Sequence, residues 1–225
     1  MTTHDQMRCQ ASYDAVAEEY VRRIYDELQH KPLDRELLDR FCARVSGVGS
    51  ACDVGCGPGH VARHLSENGV QVCGVDLSPA MVAHARRLNP AIEFFTGDMM
   101  ALNFPDQVWA GITAFYSLIH IPRAELKDAL CELRRTLRPG GLLFIAFHVG
   151  GHTVHLDEWW GRSVNVDFHF FESAEMTGYL SAAGFEVEEV IERDPYPDVE
   201  HASRRSYIFA RRPCLPELDD ESKRR

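Results

Sequence analysis

The stretch Ala51-Cys-Asp-Val-Gly-Cys-Gly-Pro-Gly-His60 places a short apolar run directly before three glycines at alternate positions. The run predicts a buried strand, and Val61, Ala62 and Leu65 predict a helix directly after the glycines. Glycines at such a strand-to-helix turn let the backbone approach a nucleotide-type ligand where a Cβ atom would collide. The turn therefore predicts a βαβ unit with a ligand at the carboxyl edge of its sheet.

Short apolar runs alternate with helical segments along the rest of the chain, which indicates a parallel sheet with helices on its faces. The expected strands are 51–55, 71–75, 92–95, 108–115, 142–147, 185–192 and 204–211. Amphipathic helices are expected at 12–29 and after Asp34, upstream of the sheet. We interpret residues 148–171, which are rich in His, Trp and Phe, as a long loop.

Composition limits the classes of partner. The 225 residues carry 24 Lys and Arg against 34 Asp and Glu, for a net charge of −10. An acidic chain without a basic stripe is a poor match for nucleic acid or anionic lipid. The N-terminus lacks the pattern of an export signal, so we expect a cytoplasmic protein. Seven cysteines without a CxxC pair argue against a disulfide framework or zinc ribbon.

Two further strands end in carboxylates. Val72-Cys-Gly-Val-Asp76 places an acid 21 residues after Gly55, where a ribose diol would donate hydrogen bonds. Thr96-Gly-Asp98-Met99 closes the next strand with another acid. Polar groups at successive strand ends are typical of a ligand site at one edge of an α/β sheet.

These motifs, together with Leu137-Arg-Pro-Gly-Gly141, resemble the successive motifs of class I S-adenosylmethionine-dependent methyltransferases. The resemblance covers about residues 10–212. It implies a Rossmann-like, doubly wound sheet of seven strands with the last strand antiparallel. We expect a single domain over 1–225, with N-terminal capping helices in 1–47, the core in 50–212 and a flexible tail at 213–225.

The resemblance also implies the cofactor-binding residues. The glycine turn would hold the methionine portion, the acid after the second strand would bind the ribose, and the acid after the third would bind the adenine amino group. Neighbouring side chains would flank the adenine ring, and a residue at the end of the fourth strand would face the methyl group. By position these residues are Asp53, Gly55, Gly57, Gly59, Asp76, Leu77, Asp98, Met99 and Phe115.

The reaction implied is methyl transfer from S-adenosylmethionine to a small molecule, because the segment left for the acceptor is short. The acceptor atom stays open. A nicotinamide oxidoreductase fits less well, since the third glycine comes one residue early and no basic residue is placed for a pyrophosphate. A protein that binds the cofactor without methylating, such as a cyclase, a lyase or a pseudoenzyme, remains the alternative.

Candidates for the reacting end follow the fourth and fifth strands. His120 and His148 are each a possible general base, because an unshifted imidazole titrates near neutrality. His120 could equally hydrogen-bond a helix start. Tyr116 is a further candidate for the catalytic edge, and its alternative is a plain core aromatic.

Aromatic side chains supply the remaining candidates. Tyr13 and Tyr20 lie on one helical face and either pack in the core or contact the cofactor. We expect His152, Trp159 and Trp160 to line the acceptor site. A metal site in the same segment is the alternative, but its histidines are spread over a glycine-broken segment, so we expect no metal.

Overall fold

The structure is a computed structural model that describes residues 3–214. The tail expected at 213–225 therefore lies outside the described residues from 215 onward. The helices are α1 (Thr3–Ile24), α2 (Pro32–Val45), α3 (His60–Glu67), α4 (Pro79–Leu88), α5 (Arg123–Thr136) and α6 (Ser173–Ala182). The strands are β1 (Ala51–Val54), β2 (Val72–Asp76), β3 (Glu93–Thr96), β4 (Trp109–Phe115), β5 (Leu137–His148), β6 (Thr153–Trp159), β7 (Arg162–His169), β8 (Glu186–Arg193) and β9 (Arg205–Arg211).

Seven strands form one sheet in the order β3-β2-β1-β4-β5-β9-β8. The pairings from β3 to β5 are parallel, and β9 runs antiparallel to both of its neighbours. The predicted seven-stranded α/β sheet with an antiparallel last strand is therefore confirmed. Strand order reverses between β1 and β4, and ligands of open α/β sheets bind at such a switch point.

Helices cover both faces of the sheet. Side chains of α2 and α3 share one core cluster with the sheet, and those of α5 and α6 share another on the opposite face. Phe41 and Val45 of α2 pack against Gly111 of β4. The second N-terminal helix is thus a layer of the core, and only the first lies over the carboxyl edge.

The interpretation of residues 148–171 as a loop is wrong. Most of the segment forms an antiparallel hairpin, β6 and β7, which makes a separate two-stranded sheet. The alternation Val164-Asn-Val166-Asp-Phe168 is the period-two signal that identifies a half-buried strand. Val164 and Val166 are buried against Val16 of α1, so the hairpin needs a helix more than a hundred residues away.

Helix α1 also differs from its predicted bounds. It spans Thr3–Ile24 and is followed by a separate 3-10 turn at Glu27–His30. Asp14 ties it to α4, because its carboxylate accepts the Ala80 N–H at 3.1 Å and the Ser78 hydroxyl. A carboxylate at a helix N-terminus accepts hydrogen bonds from free backbone amides and interacts favourably with the positive end of the helix dipole. Ser78 itself caps α4, because its hydroxyl oxygen accepts the Met81 N–H at 3.1 Å.

The described residues contain neither a membrane-spanning helix nor a disulfide bond. Over residues 3–214, no helix has both the length and the apolar character that crossing a membrane requires. All seven cysteines are free thiols, and Cys52 and Cys73 are buried in the sheet.

Gly111 tests the packing of α2 on the sheet. A Cβ at this position would lie 2.6 Å from Phe41 Cζ and 2.8 Å from Val45 Cγ2. Gly111→Ala should therefore lower the free energy of unfolding by about 1–3 kcal/mol in denaturant melts. Gly178→Ala in α6 is the matched control, since nothing lies within 4 Å of its Cβ. There the same change should stabilise by about 0.5–1 kcal/mol; equal effects at both sites would contradict the packing described.

Candidate functional site

The glycine turn after β1 has the backbone that only glycine adopts easily. Gly55 has φ +72° and Gly57 has φ +52°. A Cβ on Gly55 would lie 2.2 Å from Ser117 Cβ, so Gly55 allows the turn to pack against the end of β4. A Cβ on Gly57 would meet only Tyr20, at 3.8 Å, and would project into open space. Gly57 therefore leaves the backbone accessible to a ligand.

Asp76 links this turn to the next helix. Its Oδ2 accepts the Gly57 N–H at 2.7 Å and its Oδ1 accepts the Ser78 N–H at 2.8 Å. Burial raises the pKa of Asp76 to about 6, although both amides favour the ionised form. Each oxygen keeps a second lone pair, so the carboxylate can accept two more donors.

Asp98 lies at the same edge, after β3. Its Oδ1 accepts the Met100 N–H at 2.9 Å, and its Oδ2 accepts the side-chain amide of Gln6 from α1. Gln6 was not predicted, since nothing in its local sequence marks it. Its amide donates to Asp98 as an amino group of a ligand would.

These residues surround a cleft at the carboxyl edge, which we call the inner cleft. It is lined by strand-end residues, by the glycine turn and by α1. Its lining includes Cys9, Tyr13, Tyr20, Gly55, Gly57, His60, Asp76, Leu77, Asp98, Met99, Phe115, Tyr116 and His120. Asp53 and Gly59 are absent from that lining and lie beneath the turn.

Asp53 supports the floor of the turn from below. Its Oδ1 accepts the Thr113 hydroxyl of β4 at 2.8 Å. Burial raises its pKa to about 6. The residue thus ties β1 to β4 at the switch point without reaching the cleft.

Tyr13 and His120 form a hydrogen-bonded pair in the inner cleft. His120 Nδ1 lies 2.9 Å from the backbone oxygen of Asp167, which can only accept, so Nδ1 carries the proton. Nε2 is therefore a lone pair, and the Tyr13 hydroxyl donates to it at 2.7 Å. Burial lowers the pKa of His120 to about 4, so the imidazole is neutral at physiological pH.

A second cavity of about 730 Å³ adjoins the inner cleft, and we call it the outer cavity. Aromatic side chains form one end of it and charged side chains form the other. Its lining includes Tyr13, Tyr20, Arg23, Glu27, Lys31, Tyr116, His148, Trp159, Trp160, Phe168, Phe170, Asp198, Glu200, His201 and Arg205. Tyr13, Tyr20 and Tyr116 line both spaces, so the two meet at these three rings.

The predicted residues thus divide between the two spaces. His120 and Phe115 lie in the inner cleft, whereas His148, Trp159 and Trp160 lie in the outer cavity. His152 lines neither; it is exposed and packs against Phe170 at 4.6 Å between ring centroids. The prediction that His152 binds the acceptor has no support from this position.

Two wall residues have a positive φ that is rare for bulky side chains. Tyr116 (φ +52°) follows β4, and Trp160 (φ +52°) precedes Gly161 (φ +76°) in the two-residue turn of the hairpin. Such a type I′ turn favours Asn-Gly, so tryptophan is an unfavourable choice for the turn alone. Trp160 stacks on Trp159 at 4.7 Å and lies 5.2 Å below the Arg23 guanidinium.

Buried charges at the other end of the outer cavity were missed by sequence reasoning. Lys31 is 4% exposed and Arg205 is 2% exposed, and both lie within 6 Å of the centre of the Tyr116 ring. Glu27 pairs with Lys31 at 2.7 Å and with His60 at 3.4 Å. Burial opposes ionisation of Glu27, but these two partners lower its pKa to about 2. No local motif marks these residues, because their burial depends on distant elements.

The histidines of the hairpin region point to different partners. His148 bonds Ser203, and His155 is hydrogen-bonded to Asp157 and Asp167. Within residues 3–214, no group of three or more His, Cys, Asp or Glu side chains could hold a metal ion.

Comparison with known proteins identifies the family. Residues 51–141 match a family described as a methyltransferase domain. The chain is 35% identical over 135 residues to a malonyl-[acyl-carrier protein] O-methyltransferase of Enterobacter lignolyticus, a match that covers 57% of this chain and 51% of that protein. Residues 51–141 thus belong to a methyltransferase-domain family, in agreement with the resemblance of the motifs to class I S-adenosylmethionine-dependent methyltransferases. The cofactor of this family is S-adenosylmethionine, as the motifs predict.

Solved structures share the fold of this chain. The DhpI–SAH complex superposes with a TM-score of 0.73 at 24% identity, covering 94% of this chain and 99% of that one. The [4+2]-cyclase SpnF superposes with a TM-score of 0.64 at 21% identity, covering 80% and 82%. The chain spans 51, 60 and 64% of the length of three curated relatives, all named malonyl-[acyl-carrier protein] O-methyltransferase.

The inner cleft fits the chemistry of this cofactor. Asp76 offers free lone pairs to hydroxyl donors, and the backbone is open at Gly57. His60 Nε2 faces Glu27, which leaves its buried Nδ1 without a partner in the described chain. Lys and Arg are absent from the described residues that line the cleft, which suits a sulfonium better than a pyrophosphate.

The raised pKa of Asp76 predicts how affinity depends on pH. Hydroxyl donors stabilise the ionised carboxylate, so the pKa must fall when they bind. Affinity for S-adenosylhomocysteine should therefore be full above about pH 6 and decline as the pH falls through 6. Calorimetry between pH 5 and 8 measures it, with Tm followed in parallel because Asp53 titrates in the same range.

Asp76→Asn is the control for this pH dependence. Losing charged hydrogen bonds should weaken binding by about 1.5–3 kcal/mol each, and the decline below pH 6 should disappear. A wild-type profile that stays flat from pH 8 to 5 would refute the role of Asp76.

Proposed function

We propose that the protein transfers a methyl group from S-adenosylmethionine to a small-molecule acceptor, leaving S-adenosylhomocysteine. One observation carries the proposal: the outer cavity, about 730 Å³, meets the inner cleft at Tyr13, Tyr20 and Tyr116. Cavities of about 300–1,000 Å³ suit small ligands. A molecule in the outer cavity would thus face whatever occupies the inner cleft across these three rings.

The residues of the inner cleft have distinct proposed roles. Asp76 binds the ribose hydroxyls, Asp98 binds the adenine amino group, and Leu77 and Met99 flank the ring. The turn Gly55-Cys-Gly57 holds the methionine portion, while Asp53 and Gly59 shape that turn from beneath. Phe115 closes the end of the cleft next to the acceptor.

Helix α1 is proposed to move when the cofactor binds. The inner cleft encloses about 80 Å³, because Gln6, Cys9 and Tyr13 of α1 cover it. Ligand pockets start at about 300 Å³. The Gln6 amide must therefore leave Asp98 before an adenine amino group takes its place.

Methyl transfer depends mainly on the alignment of the acceptor atom with the methyl group. S-adenosylmethionine supplies an electrophilic methyl group on a sulfonium, and an in-line displacement needs the acceptor atom held against it. Tyr13, oriented by His120, and Tyr116, held at positive φ, form the walls between the two spaces. We propose that these three residues keep the acceptor atom in line with the S–CH₃ bond and exclude water.

The curated relatives support O-methylation as one chemistry of the family by their names. Because the chain spans only part of their length, the acyl-carrier-protein substrate in their names is not carried over to this chain. The cytoplasmic location predicted from the sequence stays a prediction.

Product analysis tests the function. The protein, S-adenosylmethionine and a panel of small acceptors should yield S-adenosylhomocysteine and an equal amount of an acceptor heavier by one CH₂ in mass spectrometry. Methylthioadenosine, or no turnover beside tight cofactor binding, would instead favour the protein that binds the cofactor without methylating. Turnover should survive exhaustive chelation; loss that added zinc, iron or manganese restores would overturn the prediction of a metal-free site.

Trp160 separates acceptor binding from folding. Trp160→Asn removes the ring from the outer cavity but supplies the Asn-Gly pair that the turn favours. We expect thermal stability to be kept or raised, cofactor affinity to stay within about threefold, and the KM of the acceptor to rise about tenfold or more. Glu158→Ala, exposed on the same hairpin, should change none of these. Unchanged KM in Trp160→Asn would remove the aromatic end from the acceptor site.

A further inference from the structure

His148 ends β5 and is held rigidly at the wall of the outer cavity. Its ring stacks on Phe170 at 4.8 Å between centroids and 16° between planes. Its Nδ1 lies 2.9 Å from Ser203 Oγ, and no other described residue bonds to Nε2. His148 lines the outer cavity, and Nε2 is not among the buried atoms without a partner in the described chain, so this nitrogen is accessible to a ligand. Its protonation decides whether it accepts or donates.

The hydrogen bonds of Ser203 decide that protonation. Arg205 Nη1 donates to Ser203 Oγ, so the hydroxyl proton of Ser203 points away from the guanidinium. Two acceptors remain: His148 Nδ1 at 2.9 Å and His201 Nδ1 at 3.3 Å. The bond to His148 is shorter and less exposed. His148 Nδ1 is thus a lone pair, and the ring proton lies on Nε2.

Neighbouring charges act in the same direction. Burial, together with the positive charges of Arg205 and Lys31, lowers the pKa of His148 to about 3, and the opposing effect of Glu200 is smaller. The imidazole is therefore neutral and sits in a positive potential. Its Nε2–H is a donor that suits a negative oxygen, the opposite of the lone pair that a general base needs.

His120 cannot readily supply a base in its place. Its Nε2 lone pair already accepts the Tyr13 hydroxyl at 2.7 Å. An acceptor that must lose a proton, such as an alcohol or an ammonium group, therefore meets a donor at His148 and an occupied lone pair at His120. An acceptor that is already anionic needs neither.

The charge balance limits the acceptor to one negative charge. Arg23, Lys31 and Arg205 line the outer cavity together with Glu27, Asp198 and Glu200, three cations against three anions. Lys31 pairs with Glu27, Arg205 with Glu200, and Arg23 with Glu19 of its own helix. Each described cation of the lining thus already has a carboxylate partner and none is free for a polyanion, whereas a single negative charge is matched by the positive sulfonium of the cofactor.

We propose that His148 donates its Nε2–H to an oxygen of the acceptor and that the acceptor is a small aromatic monocarboxylate. The inference rests on the proposed function and names the substrate class. The aromatic end of the cavity packs the ring, and His148 holds one carboxylate oxygen. The other oxygen forms the new O–CH₃ bond as the S–CH₃ bond breaks, giving an ester and a neutral thioether. The carboxylate and sulfonium charges cancel, and no proton moves.

Nitrogen-15 NMR of the histidine rings tests the tautomers without any acceptor. Near pH 7 we expect His148 to carry its proton on Nε2 and His120 on Nδ1, with Ser203→Ala making His148 a mixture of the two. Assignments come from the spectra of His148→Gln and His120→Gln. A proton on Nδ1 of His148 in the wild type overturns the proposal.

Binding of matched probes tests the substrate class. With S-adenosylmethionine replaced by sinefungin, an unreactive analogue that carries an ammonium group in place of the methylated sulfonium, phenylacetate should bind about tenfold or more tightly than 2-phenylethylamine or 2-phenylethanol, because hydrogen bonds to charged groups are the stronger ones. Equal or tighter binding of the amine or the alcohol, or no binding of phenylacetate, overturns the proposal.

Variants of His148 test the donor itself. His148→Gln keeps an N–H near the position of Nε2 and should retain phenylacetate affinity within about threefold, whereas His148→Glu is of equal length without that donor and should lose about tenfold or more. Ser203→Ala provides the same test if His148→Glu does not fold, and should weaken phenylacetate several-fold. Equal affinity in all variants overturns the role of His148.

These outcomes are separate from the fate of the proposed function. Phenylacetate binding that depends on His148, in a protein that methylates no acceptor, would leave the donor assignment standing and refute methyl transfer. Methylation of amines or alcohols with no preference for carboxylates would support methyl transfer and refute the assignment to aromatic carboxylates.

Discussion

The carboxylate of Asp76 is the interaction on which the site depends. By accepting one N–H from Gly57 and another from Ser78, it joins the turn after β1 to the start of α4. Both segments leave parallel strands at the switch point of the sheet, so one side chain sets the spacing of two ligand-facing loops. The pKa of about 6 shows that burying this charge is unfavourable. Its two backbone donors keep the carboxylate ionised at neutral pH. The unfavourable burial of its charge is offset because the two loops that it joins are already in place before a ligand binds.

Helix α1 and the hairpin of β6 and β7, which cover the site, are held by contacts between distant parts of the chain. Helix α1 is fixed to α4 by Asp14 and to β7 by Ser12, whose hydroxyl accepts the Asn165 N–H at 2.9 Å. The hairpin in turn buries Val164 and Val166 against α1. Helix and hairpin therefore stabilise each other, and the outer cavity exists only when both are in place. Both apolar packing at Val16 and polar contacts hold α1 above the cleft, and the contact of Gln6 with Asp98 is the one that the proposed cofactor site requires to break.

Two histidines with the same sequence-level description have opposite chemistry. A backbone carbonyl places the proton of His120 on Nδ1, whereas a serine hydroxyl under the influence of Arg205 places that of His148 on Nε2. Both rings are neutral, because burial lowers both pKa values. The partner of the second nitrogen, and not the identity of the residue, decides whether each ring accepts or donates.

The sequence by itself determined the sheet, the family resemblance and the identity of the cofactor, and it supplied the cofactor-binding residues that are proposed. Strand periodicity, the Gly55-Cys-Gly57 turn and the acids at strand ends are local signals, because their geometry follows from neighbouring residues. Only the tertiary structure decided the acceptor side. Lys31 and Arg205 are far apart in sequence, and they become buried beside Tyr116 only after α2 and β9 pack on the sheet. The hairpin was missed although Val164-Asn-Val166-Asp-Phe168 alternates, because its clustered histidines and tryptophans suggested a binding loop. Burial and hydrogen-bond partners are non-local quantities, and they set the tautomers and charges on which the chemistry of the acceptor depends.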